Sequence, residues 1–200
     1  RFLVEQNKEE KNKLLIETKN KETAYQKLLA DRKKKKTELE KEVLDYESKI
    51  QTLVDVSKLP KYGKGVLKYP VNNVKITQHF GTTAFSTQNP QVYNGMGHNG
   101  IDFAVPTGTA VYSAAPGVVI GTGDTDAQCN GVSYGRFVLV RHANGLTTLY
   151  AHLSKIGVSA GQNLGARDQI GLSGNTGYST GPHVHFTVYA SDVVRMTQAG

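Results

Sequence analysis

All 21 glycines and all 6 prolines of this 200-residue chain lie at or beyond Pro60. Glycine and proline are the two residues least compatible with a helix interior. Before Pro60 the composition is dominated by Lys, Glu, Leu and Gln, all good helix formers. The first 58 residues are therefore expected to form one long helix, and the remainder must follow a different architecture. Leu39, Val43, Tyr46, Ile50 and Leu53 step by four, three, four and three, which is the seam of a coiled coil. Further back the seam loosens, and the run Lys33–Lys36 sits where core residues would be wanted.

An unbroken helix of this length would reach roughly 85 Å. Its first 58 residues carry fifteen Lys/Arg against twelve Asp/Glu, too much charge for it to form a compact core alone. It needs another helix, from a second copy or from an upstream segment. Residues 1–58 read as a coiled-coil arm that self-associates or docks on an envelope protein. The lysine run lacks the interleaved aromatics of a nucleic-acid groove, so no nucleic-acid partner is expected. No stretch is apolar for long enough to span a bilayer. The chain begins at Arg1 rather than Met and reads as a fragment or processed chain, from which a targeting segment is missing. The single cysteine, Cys129, excludes an internal disulfide framework and a cysteine-rich zinc site.

Around Leu59–Tyr69 helix formers give way to Pro, Gly, Val, Thr and Tyr. Residues 59–69 are expected to be a linker and residues 70–200 a second domain. That domain reads as short strands separated by turn residues: Val74–Phe80, Ile101–Val105, Ala110–Ala114, Val118–Gly123, Phe137–His142, Thr147–His152 and His183–Tyr189. Asn144-Gly145 is a hairpin signal between the fifth and sixth. The fold class is mainly β, an antiparallel sheet preceded by the helical arm.

Three stretches in this domain carry chemistry. In Gly181-Pro182-His183-Val184-His185-Phe186 two histidines stand two apart in strand composition. Residues i and i+2 share one face of a strand, so both imidazoles project together. In Gly97-His98-Asn99-Gly100-Ile101-Asp102 a histidine and a carboxylate lie four apart. Fully extended they would be about 13 Å apart, too far to reach one ion. Asn99-Gly100 supplies a bend, since both residues tolerate positive φ. In Tyr150-Ala151-His152-Leu153-Ser154 a histidine stands at a strand end. The domain's acids are Asp102, Asp124, Asp126, Asp168 and Asp192, with no Glu after Glu47, so no glutamate can act there as general base. His79 and His142 read as structural.

In this order, the stretches resemble the M23 family of zinc metallopeptidases, the LytM and lysostaphin-like endopeptidases. Gly100-Ile101-Asp102-Phe103-Ala104-Val105-Pro106-Thr107-Gly108-Thr109 is similar to the family's H-x-G-x-D-x-x-x-P-x-G-T signature. Tyr150 to Ser154 is similar to its Y-x-H-L-S. Gly174-Asn175-Thr176-Gly177 and Ser179 to Phe186 are similar to its final block. The resemblance implies that His98, Asp102 and His185 hold Zn2+, and that His152 and His183 are the catalytic histidines. It implies hydrolysis of peptide cross-links of bacterial peptidoglycan outside the cytoplasmic membrane, in the cell envelope or secreted. Segments Gly81–Met96 and Gly123–Tyr134 are placed to wall a substrate groove. The alternative reading is a non-enzymatic coiled-coil regulator that activates a separate cell-wall amidase. The full set of five residues argues against it.

Overall fold

A computed structural model describes residues 2–52, 66–90, 92, 93, 95, 97–191 and 194; within the helix, side chains are described at 11, 13–38, 41 and 42. The chain divides into two compact units, 1–41 and 42–200. Helix α1 runs from Phe2 to Thr52, as a stretch without Gly or Pro allows. Ion pairs at helical spacing support it, Lys21 Nζ to Glu17 Oε1 at 2.7 Å among them, each a contribution of only tenths of a kcal/mol. The seam residues Leu39, Val43, Tyr46 and Ile50 have side chains outside the described residues, and Leu53 and linker positions 59–65 lie wholly outside them. Leu15, Tyr25 and Leu29 continue the four-three spacing backwards, and they are 63%, 58% and 44% exposed. Among the described residues nothing buries these apolar side chains. No described helix is long and apolar enough to cross a membrane.

The second unit is an antiparallel sheet. Its strands are β1 (Ile76–Gln78), β2 (Ile101–Ala104), β3 (Ala110–Tyr112), β4 (Gly117–Asp124), β5 (Arg136–His142), β6 (Leu146–Ile156), β7 (Asn163–Leu164), β8 (Gln169–Ser173) and β9 (His183–Ala190). A short helix α2 (Ala84–Gln88) follows β1. The order is β1-β2-β9-β6-β5-β4-β7, with β8 pairing both β3 and β6. Asn144-Gly145 does turn β5 into β6: Gly145 adopts φ +78°, and Asn144 Oδ1 accepts from Leu146 N at 3.2 Å.

Strand β6 is the hub. Residues Leu146–Ala151 pair with β9, and Leu153–Ile156 pair with β8. The change of partner falls at His152, whose φ of +59° is left-handed. His152 is thus not at a strand end, as the sequence indicated, but at a bulge inside a longer strand. Tyr150 and Leu153 are both fully buried in the core with Phe103, Val138, Val184 and Ile170. Two core residues three apart require one extra residue between them, which the bulge provides.

Beneath this core runs a buried polar chain. Tyr150 Oη accepts from Ala114 N at 2.8 Å and lies 2.9 Å from Thr148 Oγ1. Thr148 Oγ1 lies 2.8 Å from His142 Nε2, and His142 Nδ1 donates to Pro116 O at 2.9 Å. A neutral imidazole has one N–H. With Nδ1–H given to Pro116, Nε2 accepts from Thr148, and the Tyr150 hydroxyl donates to Thr148. In this arrangement every group is satisfied with His142 neutral. Burial pushes this imidazole below its ordinary value, against the Pro116 hydrogen bond that raises it.

Two outcomes follow from that chain. Tyr150→Phe leaves a buried N–H of Ala114 without its acceptor and should cost about 1–3 kcal/mol, read as a lower urea midpoint at unchanged m. The depressed folded pKa of His142 means its stabilising contribution is full above the unfolded value and is lost as pH falls below it. His142→Gln should therefore show a smaller loss of stability than wild type between about pH 7.5 and about pH 5.5, checked by urea unfolding at both.

Candidate metal centre

The antiparallel register of β2 and β9 sets Asp102 opposite His185 and Ala104 opposite His183. Phe103, Val184 and Phe186 take the alternate face and fill the core. The carboxylate and the two imidazoles therefore share the other face, as strand periodicity requires. Pro182 stands just before β9, where its missing N–H costs no ladder bond.

His98 reaches this face from outside the strand. A pair of backbone hydrogen bonds with Gly81, both 2.8 Å, anchors it. The bend at Asn99-Gly100 is present, but positive φ is not its reason. The left-handed residue is Gly97, at φ +82°. Gly100 is needed for space: a Cβ there would lie 2.6 Å from Phe186 O and 2.7 Å from His185 Cε1.

Three ligand-type atoms converge. His98 Nε2 is 3.1 Å from His185 Nδ1 and 3.2 Å from Asp102 Oδ1, and His185 Nδ1 is 2.9 Å from Asp102 Oδ1. Tetrahedral zinc with bonds of 2.0–2.1 Å separates its ligands by about 3.3 Å, so the triangle fits zinc with minor opening. The donor chemistry fits too. His98 Nδ1 donates to His79 O at 3.0 Å, which leaves the lone pair on Nε2. His185 Nε2 lies 2.8 Å from Thr187 Oγ1; donating there, it leaves the lone pair on Nδ1. Such outer hydrogen bonds fix the tautomer of a ligating histidine. Among the described residues this trio is the one group of His, Cys, Asp or Glu arranged to hold a metal ion.

Burial raises the Asp102 carboxyl, but the His185 and His98 rings beside it outweigh burial and hold it well below the usual carboxylate range. Burial lowers His185, and the neighbouring His98 and His183 add to this against the pull of Asp102. A carboxylate with neutral imidazoles is the protonation state that a metal requires.

His152 and His183 stand beside the trio. His152 Nδ1 donates to Thr176 O at 2.8 Å and His183 Nδ1 to Gly181 O at 2.8 Å. Their rings are 4.6 Å apart, and His183 Nε2 is 3.6 Å from Asp102 Oδ1. In a regular strand His152 would point opposite to Ala151, into the core; the left-handed backbone turns it to the histidine face. Burial, then the charges of His183 and His185, push its imidazole down to about 3. Each ring so held presents Nε2 as a proton acceptor.

All five residues singled out in the sequence thus meet on one face. His79 supplies its carbonyl to His98, and the His142 ring is spent in the core. Thr187 was overlooked, although it lies two residues beyond His185 on the same face. Tyr93 and Tyr134 were overlooked as well. The Tyr93 ring stands edge-on to His98 at 5.6 Å, and Tyr134 lies 5.8 Å from His185. They belong to the two long segments expected to wall a groove; only their loop placement hinted at them.

The chain has relatives among known proteins. The chain is 48% identical over 89 residues to the peptidoglycan DD-endopeptidase ShyA of Vibrio cholerae, covering 44% of this chain and 19% of that protein. It is 46% identical over 89 residues to the DD-carboxypeptidase/endopeptidase Mpg of Neisseria meningitidis, again 44% of this chain and 19% of the relative. The chain thus spans about a fifth of the length of either. The crystal structure of a zinc-containing peptidase from Vibrio cholerae superposes with a TM-score of 0.52 at 34% identity, covering 62% of this chain and 36% of that one. Residues 96–196, half of the chain and all five residues of the site, match the model of Peptidase family M23, and the chain belongs to that family of metallopeptidases.

Proposed function

We propose that the chain is a zinc-dependent endopeptidase that hydrolyses peptide cross-links of bacterial peptidoglycan. The observation that carries this reading is the triangle of His98 Nε2, Asp102 Oδ1 and His185 Nδ1 beside two further imidazoles pinned through Nδ1. The names of the relatives from Vibrio and Neisseria favour a DD-type cross-link over a glycine bridge. Such a substrate lies outside the cytoplasmic membrane.

His98, Asp102 and His185 would hold the zinc. Zinc bound there supplies the Lewis acidity that activates water at neutral pH. Asp102 contributes the trio's single negative charge, so a divalent ion is not neutralised by its ligands. Between them, His152 and His183 would accept the proton of the attacking water, return it to the leaving amine and steady the oxyanion. Their Nδ1 hydrogen bonds keep both rings in the tautomer that can do so. A regulator without catalysis would not need this constellation complete. Helix α1, with Leu15, Tyr25 and Leu29 open, serves as an arm that pairs with a second copy or an envelope protein.

The purified protein should carry one zinc per chain, and chelation should abolish cleavage of cross-linked muropeptides until zinc is restored. Asp102→Ala should retain less than about a tenth of an equivalent of zinc, measured by elemental analysis; full zinc content would remove Asp102 from the ligand set. Gly100→Ala, with its Cβ against His185, should weaken zinc affinity by about 10–100-fold, measured by chelator competition. His152→Ala should keep its zinc and lose about 10²–10⁴ in kcat; a wild-type rate would take His152 out of the mechanism.

A further inference from the structure

Two loops hold His152. Its backbone N donates to Tyr134 O at 2.9 Å, in the loop between β4 and β5. Its ring Nδ1 donates to Thr176 O at 2.8 Å, in the loop between β8 and β9. The imidazole can be no better placed than these loops are placed against each other.

Asp126 joins them. Its Oδ1 accepts from Gly131 N at 2.7 Å within its own loop. Its Oδ2 accepts from Gly177 N at 2.9 Å in the other. Thr176 C=O and Gly177 N–H are the two ends of one planar peptide unit. The array therefore runs from the Asp126 carboxylate to the Gly177 N–H, across that peptide to the Thr176 carbonyl, and on to the Nδ1–H of His152. A carboxylate on the N–H end polarises the peptide and strengthens its carbonyl as an acceptor.

The rest of the loop contact is built for this close approach. Tyr178 N donates to Ser133 O at 2.8 Å, and Arg136 N donates to Thr176 Oγ1 at 3.0 Å. A Cβ at Gly177 would lie 2.2 Å from Gly135 N, and one at Gly135 would lie 2.4 Å from Thr176 C. Both glycines have left-handed φ, +68° and +59°. Asp124 Oδ1 in turn accepts from Asp126 N at 3.1 Å, fixing the carboxylate's own backbone.

We infer that Asp126 is the positioning residue of His152, acting on its Nδ1–H through the peptide unit 176–177 as a carboxylate acts directly in an Asp–His pair. It keeps the proton on Nδ1 and the lone pair of Nε2 aimed at the reacting water. This rests on the reading of His152 as a catalytic residue.

The test is a double-mutant cycle on the zinc-loaded, full-length chain, with single-turnover cleavage of a defined muropeptide, zinc content and melting temperature measured for each variant. Asp126→Ala should lower kcat by about 10–100-fold, the usual effect of removing an outer-shell partner, with KM within about twofold and zinc unchanged. In the His152→Ala background, Asp126→Ala should have no further effect, because its route runs through that ring. Should Asp126→Ala fail to fold, the isosteric Asp126→Asn carries the same comparison. A slow His152→Ala with a wild-type Asp126→Ala, or an Asp126→Ala loss undiminished in the His152→Ala background, overturns the positioning role. A wild-type rate for His152→Ala instead overturns the reading beneath it.

Discussion

The pairing register of β2 and β9 is the constraint on which the rest of this unit depends. Strand side chains alternate, so a slip of one residue would move Asp102 to the core face and Phe103 to the site. The register is held from the core side. Phe103 and Phe186 approach to 6.3 Å between ring centroids, and Val184 is fully buried between the strands. A slip would expose that apolar surface, at about 25 cal/mol per Å², and would bury a carboxylate among aliphatic side chains, which costs more. Hydrophobic packing on one face thus holds Asp102, His183 and His185 together on the other.

β6 meets a harder demand. Its core face must stay continuous through Tyr150 and Leu153, while an imidazole one residue beyond Ala151 is required on the opposite side. Regular strand geometry cannot do both. The left-handed His152 resolves the conflict at a strain of about 1–3 kcal/mol. It is offset by the hydrogen bonds to Tyr134 O and Thr176 O and by the transfer of β6 from β9 to β8 at that point. Loops from either side of β6 in the sequence are drawn to one residue because that residue cannot hold itself.

Features with a period or a local cause were readable from the chain. The alternation His183, His185 and the Asn144-Gly145 turn each rest on nearest-neighbour geometry, and so does the helix up to Thr52. The bulge was not readable, because Tyr150 to Leu153 looks like ordinary strand and its extra residue shows only once the partners are known. Strands β7 and β8 were missed because two residues, or five including Gly171, carry no alternation to detect. Helix α2 was missed because five residues hold no helical period; its capping box between Thr83 and Ser86 lacks the Glu or Gln that would have marked it. Gly100 was assigned the right place for the wrong reason, since steric crowding by a strand 85 residues away leaves no local signature. The link from Asp126 to the Thr176–Gly177 peptide is of the same kind.

The histidines show how the second domain, which has no glutamate, separates structure from chemistry. In each of four rings one nitrogen is committed to an oxygen: His98 to His79 O, His185 to Thr187 Oγ1, His152 to Thr176 O and His183 to Gly181 O. The other nitrogen of each turns toward one shared space beside Asp102. His142 differs, because Pro116 O and Thr148 Oγ1 take both of its nitrogens inside the core. A ring bonded at both ends by fixed neighbours has no lone pair to offer, and burial then only stabilises its neutral form. A ring bonded at one end is oriented and still reactive. The distinction lies in where the second nitrogen points, which is decided by backbone carbonyls and strand faces, not by the identity of the residue.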